Sequence, residues 1–423
     1  MSTFIYKLKV IFTDTAIRNK VLFVFAALLV FRALAVIPIP GIDQAVLEQF
    51  FLNNQFLGLL NIFSGGGLAN LSIVMLGVGP FITASIIMQL STVMSPKMKS
   101  LHTEEGEAGR AKFTQYSRML TLPLAVLQGF GFLSLLQSQG VITGLSTFEF
   151  ATNVVLVVAG SILLMWIGEL VTEYGIGNGV SIIIFAGIVA TLPTTASQLL
   201  FGFTPTQLPL YIGFAVLALG VIYAVVVMTE AERPVPITYA KQSRGGKTYG
   251  GTSTYLPLRL NQTGVIPIIF ALSVLLFPQM LLNILSSFDL AGVQRASELI
   301  LVFFENQILY AAIYFILVFV FTFFYTAVTF DPDNIARNLQ RNGAFVPGIR
   351  PGGHTAEYLG TLITRLTFVG ATFLGLVAVL PLGMQVVTGI TALAIGGTAL
   401  LIVVNVVLDL IRRLDAQVAM REY

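Results

Sequence analysis

The chain has 423 residues, 56% of them hydrophobic and only 10% charged, with 23 Lys or Arg against 20 Asp or Glu. A soluble domain averages about 25% charged residues, so an ordinary cytosolic enzyme is excluded. Zero cysteines exclude a disulfide framework, a thiolate metal site and a cysteine nucleophile together.

In chain order, residues 1–20 are polar and basic with Phe4, Leu8 and Ile11 at helical spacing, which reads as a short amphipathic helix at a membrane surface and not as a cleavable signal peptide. About 20 apolar residues cross a bilayer as a helix, because each backbone amide must find its partner inside the segment when no water is available. Ten stretches qualify, near residues 21–37, 72–94, 118–137, 152–171, 179–200, 208–228, 262–284, 307–329, 359–381 and 390–411. They follow one another without a polar domain between them, so one integral membrane domain is expected. An even number of spans puts both termini on one side. That side carries 20 of the 23 basic residues, from Lys7, Lys9, Arg18 and Lys20 through to Arg412, Arg413 and Arg421. The opposite loops hold only Arg295, while Arg32 and Arg365 fall inside spans. This bias places both ends in the cytoplasm.

The connections at 229–261 and 330–358 are long, basic and rich in Gly and Pro. They fit either a docking surface for something large and acidic or anionic, or solvated loops held near anionic lipid. Residues 59–71, LLNIFSGGGLANL, are apolar enough to enter a membrane and too short to cross it, and the three glycines at 65–67 weaken any helix there. Either a re-entrant element facing a cavity in the helix bundle or an interfacial turn satisfies that pattern.

Much chemistry is missing. His102 and His354 both fall in loops without a surrounding ligand cluster, and no G-x-x-x-x-G-K-[ST] string exists, so neither a metal site nor a nucleotide cradle is expected. GIGNGVS at 175–181 lies between two spans and reads as a tight interhelical turn. Ion-coupled transporters keep carboxylates or histidines inside their spans. Here Glu169, Glu173 and Asp409 lie at span ends, which argues for a passive pathway. A wide passive pathway holds back ions best with a narrow aliphatic constriction, since charged rings attract them. Ile82 with Ile86, and Val180 with Ile184, have the required one-face spacing, which lipid-facing and packing residues share. Two rivals stand beside the channel: a secondary transporter of small solutes, and a membrane enzyme using Asp331 and Asp333 of the FDPD string.

Ordered strings along the whole chain then resemble those of the SecY family, the main subunit of the bacterial protein-translocation channel. They include PIPGID at 38–43, FSGGGL at 63–68, PFITASII at 80–87, EGEAGR at 105–110 and EYGIGNGVSIIIFAGI at 173–188. ERPVPITYA at 232–240, LPLRLNQTGVIPIIFA at 256–271, GAFVPGIRPG at 343–352 and GGTALLIVV at 396–404 continue the series. The resemblance implies an all-α, polytopic membrane protein whose ten transmembrane helices form two inverted five-helix halves around an hourglass pore that opens sideways to lipid. The halves would cover 21–200 and 201–411, between an amphipathic segment at 1–20 and a cytoplasmic tail at 412–423.

By the same resemblance, residues 61–70 (Asn61, Ile62, Phe63, Ser64, Gly65, Gly66, Gly67, Leu68, Ala69 and Asn70) form a plug. Ile82, Ile86, Val180, Ile184, Ile269 and Ile402 form a pore ring, in which relatives often hold isoleucine at the site of Val180. Arg350, with Arg244 and Lys247 at the tip of the earlier loop, would dock the motor SecA or the ribosome. SecE is the implied clamp and SecG an accessory subunit. The implied function is passive translocation of unfolded secretory polypeptides with their signal sequences across the bacterial cytoplasmic (inner) membrane, with lateral release of apolar segments into membrane lipid. No cofactor and no catalysis are expected of the chain itself.

Overall fold

The computed structural model describes residues 13–40, 61, 64, 66–68, 70–103, 105–138, 140–142, 145–201, 208–239, 242–244, 247–249, 253–264, 266–286, 306–388 and 391–419. The amphipathic positions Phe4, Leu8 and Ile11 lie outside these. Among the described residues the helices run α1 (Thr15–Val36), α2 (Gly79–Met94), α3 (Pro96–Thr103), α4 (Gly106–Ser138), α5 (Thr147–Tyr174), α6 (Gly179–Phe201), α7 (Leu208–Glu230), α8 (Ile266–Ser286), α9 (Gln307–Thr329), α10 (Pro332–Arg341), α11 (Gly353–Thr388) and α12 (Thr391–Ala419). Each of the ten apolar stretches overlaps one of them. By length and composition, α1, α5, α7 and the segments Gly106–Gln137, Gln307–Arg341 and Gly353–Val386 can cross a membrane. α2 and the segments Gly179–Pro193 and Ile266–Leu275 are shorter apolar helices.

Local chemistry marks where the helices start. The Asp14 side chain accepts from the Ala16 amide at 2.8 Å, and Ser146 with Glu149 closes a reciprocal capping box ahead of α5. The second apolar stretch was expected to be helical from residue 72, yet α2 begins only at Gly79. Gly77 takes a left-handed φ of +58°, and Pro80 in the first turn has no amide to continue a helix upstream. At roughly 1.5 Å per residue, α2 spans about 24 Å of the about 30 Å an apolar core measures. The described residues before it, as far as Ser64, are turns apart from a bridge of Ser72 to Pro38.

The chain divides into two compact units. In the first (Met1–Val216, Leu272–Tyr310 and Pro381–Tyr423), α2 packs on α3, α4 and α5, α5 packs on α4 and α6, α6 packs on α12, and α1 lies against α5 and α6. Its core gathers Leu68, Leu71 and Met75 of the turn segment with Ile39, Phe132, Leu133, Leu136 and Val157.

The second unit (Leu217–Ala271 and Ala311–Leu380) holds a small antiparallel sheet. β1 (Glu232–Tyr239) lies between β4 (Ser253–Arg259) and the short β5 (Ala344–Phe345), with Val235 opposite Leu256 and Glu232 opposite Arg259. β2 (Gln242–Arg244) pairs with β3 (Lys247–Tyr249) beyond it. Val235 and Ile237 point inward while Pro234 and Pro236 stay exposed, the period of two expected of a half-buried strand. The inward face packs with Val346, Leu359 and Ile363, so the two long basic loops and the start of α11 share one apolar core.

Candidate functional site

The described residues between Ser64 and Val78 stand apart from the helices around them: non-helical backbone, mostly buried, inside a helical unit. Leu71, Ser72, Val74 and Val78 are 0% exposed and Ser64 and Leu68 2%. Such backbone persists only if its polar groups are paired. The Ser64 hydroxyl donates to the Asn61 carbonyl at 3.0 Å and accepts from the Leu68 amide at 2.9 Å. The amide and hydroxyl of Ser72 both donate to the Gly67 carbonyl at 2.9 Å. Gly66 adopts a φ of +82°, and a Cβ on Gly67 would stand 2.8 Å from the Ser72 hydroxyl oxygen. Only glycine allows that turn to close on itself.

Two flanking elements hold the segment. From the end of α1, the Ala35 carbonyl accepts from the Asn70 side chain at 3.3 Å, the Ile39 amide donates to the Leu71 carbonyl at 2.9 Å, and the Ile73 amide donates to the Ile37 carbonyl at 3.0 Å. From α5, the Ser161 hydroxyl donates to the Gly77 carbonyl at 2.9 Å, and Gly160 approaches so closely that a Cβ there would fall on the Ile73 carbonyl. Of the predicted plug, Asn61, Ser64, Gly66, Gly67, Leu68 and Asn70 are described, while Ile62, Phe63, Gly65 and Ala69 lie outside the described residues. Residues 71–78, Gly160 and Ser161 belong to this seat and were not singled out from sequence. The small pair Gly160–Ser161 in an otherwise apolar span was the available signal, since small residues let backbones meet inside a membrane.

The predicted ring residues lie on four helices. Ile82 and Ile86 are buried on α2, Ile184 is buried and Val180 half-buried on α6, Ile402 is 1% exposed on α12, and Ile269 is buried on α8. α6 and α12 pack together, so Val180, Ile184 and Ile402 sit on adjacent elements, whereas the described neighbours of α2 are α3, α4 and α5. Ile269 belongs to the second unit. GIGNGVS is the tight turn expected: Gly177 has a φ of +91°, the Gly179 amide donates to the Thr172 hydroxyl at 2.9 Å, and a Cβ on Gly179 would fall on the Gly168 carbonyl.

In the second unit, Arg350 is exposed at the tip of a tight loop between glycines of positive φ, Gly348 and Gly352. Its backbone carbonyl accepts from the Thr355 hydroxyl at 2.9 Å, and Ile349 and Val346 anchor the loop in the sheet core. Arg244 and Lys247 face each other as the last pair of the β2–β3 ladder, which places both at the tip of that hairpin. Of the two arginines inside apolar stretches, Arg365 is exposed on α11 and Arg32 half-buried on α1.

The family model for SecY matches residues 72–411. The chain belongs to the SecY family. A protein translocase subunit SecY from Streptomyces galbus is 39% identical over 433 residues, covering 97% of each chain, and one from Mycobacterium bovis is 38% identical over 100% of this chain and 99% of its own. Solved structures share the fold. One described as a protein conducting channel superposes with a TM-score of 0.65 at 19% identity over 95% of this chain and 93% of its own. Another, of a SecY whose plug domain is said to stabilise the closed state of the translocation channel and maintain a membrane seal, gives 0.65 at 19% over 95% and 92%. Sec61 from a canine ribosome–channel complex gives 0.62 at 18% over 95% and 93%. As a SecY-family member the chain is a multi-pass, helical membrane protein that acts as a protein-translocation channel, and nothing in these matches supports a small-solute transporter.

Proposed function

We propose that this SecY-family chain works as a passive conduit held shut by apolar matter and opened by an external motor. The observation that carries this reading is the buried turn segment: an irregular, glycine-bearing piece lodged among helices, its polar groups paired partly by its own hydroxyls and partly with the end of α1 and with α5. A stopper of that kind is released by giving up a few bonds to its flanks, while the bonds of Ser64 with Leu68 and of Ser72 with Gly67 keep it folded. The family likeness supports the name plug, since one matched structure is described in those terms. Ile82, Ile86, Val180, Ile184, Ile269 and Ile402 are the aliphatic ring of this proposal, which stays dry and ion-tight when idle and yields around an extended polypeptide.

The chain carries out no catalysis in this reading, and two inverted five-helix halves, 21–200 and 201–411, open sideways to release apolar segments into lipid. It lies in the bacterial cytoplasmic membrane with both termini inside, clamped by SecE and accompanied by SecG. Arg350, Arg244 and Lys247 face SecA or the ribosome. A basic loop on a rigid apolar base suits that role, because its exposed charge is positioned without being spent on an internal partner.

The test is reconstitution into liposomes with SecE, SecG, purified SecA and a radiolabelled precursor. Protease-protected precursor is expected only with ATP and the motor present. Saturable uptake of a small solute with coupled cation movement, and no protected precursor, would reverse the reading.

A further inference from the structure

Arg32 stands in the middle of the apolar run LLVFRALAV of α1. A cation at that depth is costly and needs acceptors close by, so its surroundings identify its task. Those surroundings include the glycine turn. A Cβ placed on Gly66 would lie 3.4 Å from the Arg32 Nη1, 3.5 Å from the Thr191 Cγ2 of α6 and 3.9 Å from the Gly187 carbonyl. The guanidinium therefore lies beside the side-chain-free face of Gly66, in a niche completed by α6. Ala35, one turn further along α1, holds the other end of the same segment through its carbonyl and the Asn70 amide. Positions 32 and 35 share a helix face, so one face of α1 grips the turn at two points.

We propose that Arg32 is a positioning residue that latches the plug in its closed seat. The proposal rests on the plug reading above and adds to it a specific restraint. A planar guanidinium presents donors in a fixed fork, and turn backbone, unlike helix backbone, offers carbonyls to it. When the plug leaves, the cation loses those neighbours, so displacement is opposed even though the ring yields easily. Gly66 itself is constrained by its φ of +82°, which disfavours any other residue.

The chain has no native cysteine, so Val74→Cys supplies a single thiol at a position 0% exposed in the closed seat. The full chain with its partner subunits is examined in that background for labelling by a membrane-impermeant maleimide, and in planar bilayers for resting conductance. Deletion of residues 64–70 is measured alongside. Arg32→Gln is expected to raise labelling and resting conductance severalfold, and to add nothing to the conductance of the deletion. Arg32→Lys, which keeps the charge but not the fork, should fall between, and it remains informative if Arg32→Gln does not assemble. A leaky deletion with Arg32→Gln and Arg32→Lys both indistinguishable from the parent overturns the latch and leaves the plug standing. A deletion with quiet closures overturns the plug and the latch with it. A double variant that leaks more than the deletion alone places the action of Arg32→Gln elsewhere and removes the proposal.

Discussion

Ile402 is 1% exposed on α12 and contributes only hydrocarbon to its surroundings. An amide in the same place needs hydrogen bonds costing about 1–3 kcal/mol if left unmade, and in a proposed constriction water is the partner that meets them. Ile402→Asn should thus wet the ring and raise resting conductance on the order of tenfold, the factor that about 1.4 kcal/mol represents, while letting weak signal sequences pass. Single-channel recording beside a translocation assay checks this, and unchanged conductance with unchanged selectivity removes Ile402 from the ring. The i and i+4 spacing of Ile82 with Ile86, and of Val180 with Ile184, was legible in the sequence. Whether such a pair faces a pore, a neighbour or lipid was not, because all three environments favour the same side chains.

Helix α5 shows how an element can be obvious in sequence and its purpose hidden. Its apolar length and capping box predict a span, and a span forms. Its role as the seat of the turn segment depends on Gly160 and Ser161 meeting Ile73 and Gly77, more than eighty positions earlier. A methyl group at Gly160 has no room beside the Ile73 carbonyl. Gly160→Ala should therefore destabilise the closed form by about 1–3 kcal/mol, the usual penalty of overpacking. Gly213→Ala on α7, where the added carbon meets nothing within 4 Å, is the control and should be neutral or slightly stabilising. Thermal unfolding of the two variants in detergent decides, and equal midpoints would mean that α5 is free to shift away from the segment. The turns over 72–78 are hidden in the sequence for the same reason. Their hydrophobicity matches that of a span, and the left-handed Gly77 and the pairing with α1 that break the helix are seen only after folding.

At the scale of the whole chain, two chemistries are kept apart. α1 and α7 are as apolar as any core helix, yet only 11% and 6% of their hydrophobic windows are buried. Leu22, Phe25, Leu29, Ile212, Val216 and Leu219 are therefore surfaces for lipid or a partner subunit. The sheet unit instead spends its apolar residues on an internal base and leaves Arg350 outside. Because the loop is held through the Arg350 carbonyl and not through its guanidinium, Arg350→Glu should leave assembly and thermal stability unchanged while abolishing SecA-driven translocation. Normal transport by that variant would take Arg350 off the proposed docking surface. By itself, the amino-acid sequence determined the helical membrane class, the position of each apolar stretch, the tight turn at 175–181 and the basic loops, since hydropathy, glycine and charge act where they stand. Only the tertiary structure decided that residues 71–78 fold as non-helical, largely buried backbone, that α1 and α5 hold them, that the basic loops rest on a common sheet, and that Arg32 lies beside Gly66. Each of these is a meeting of groups distant along the chain, and such meetings are set by which backbone carbonyls and cavities remain to be satisfied once the helices have packed.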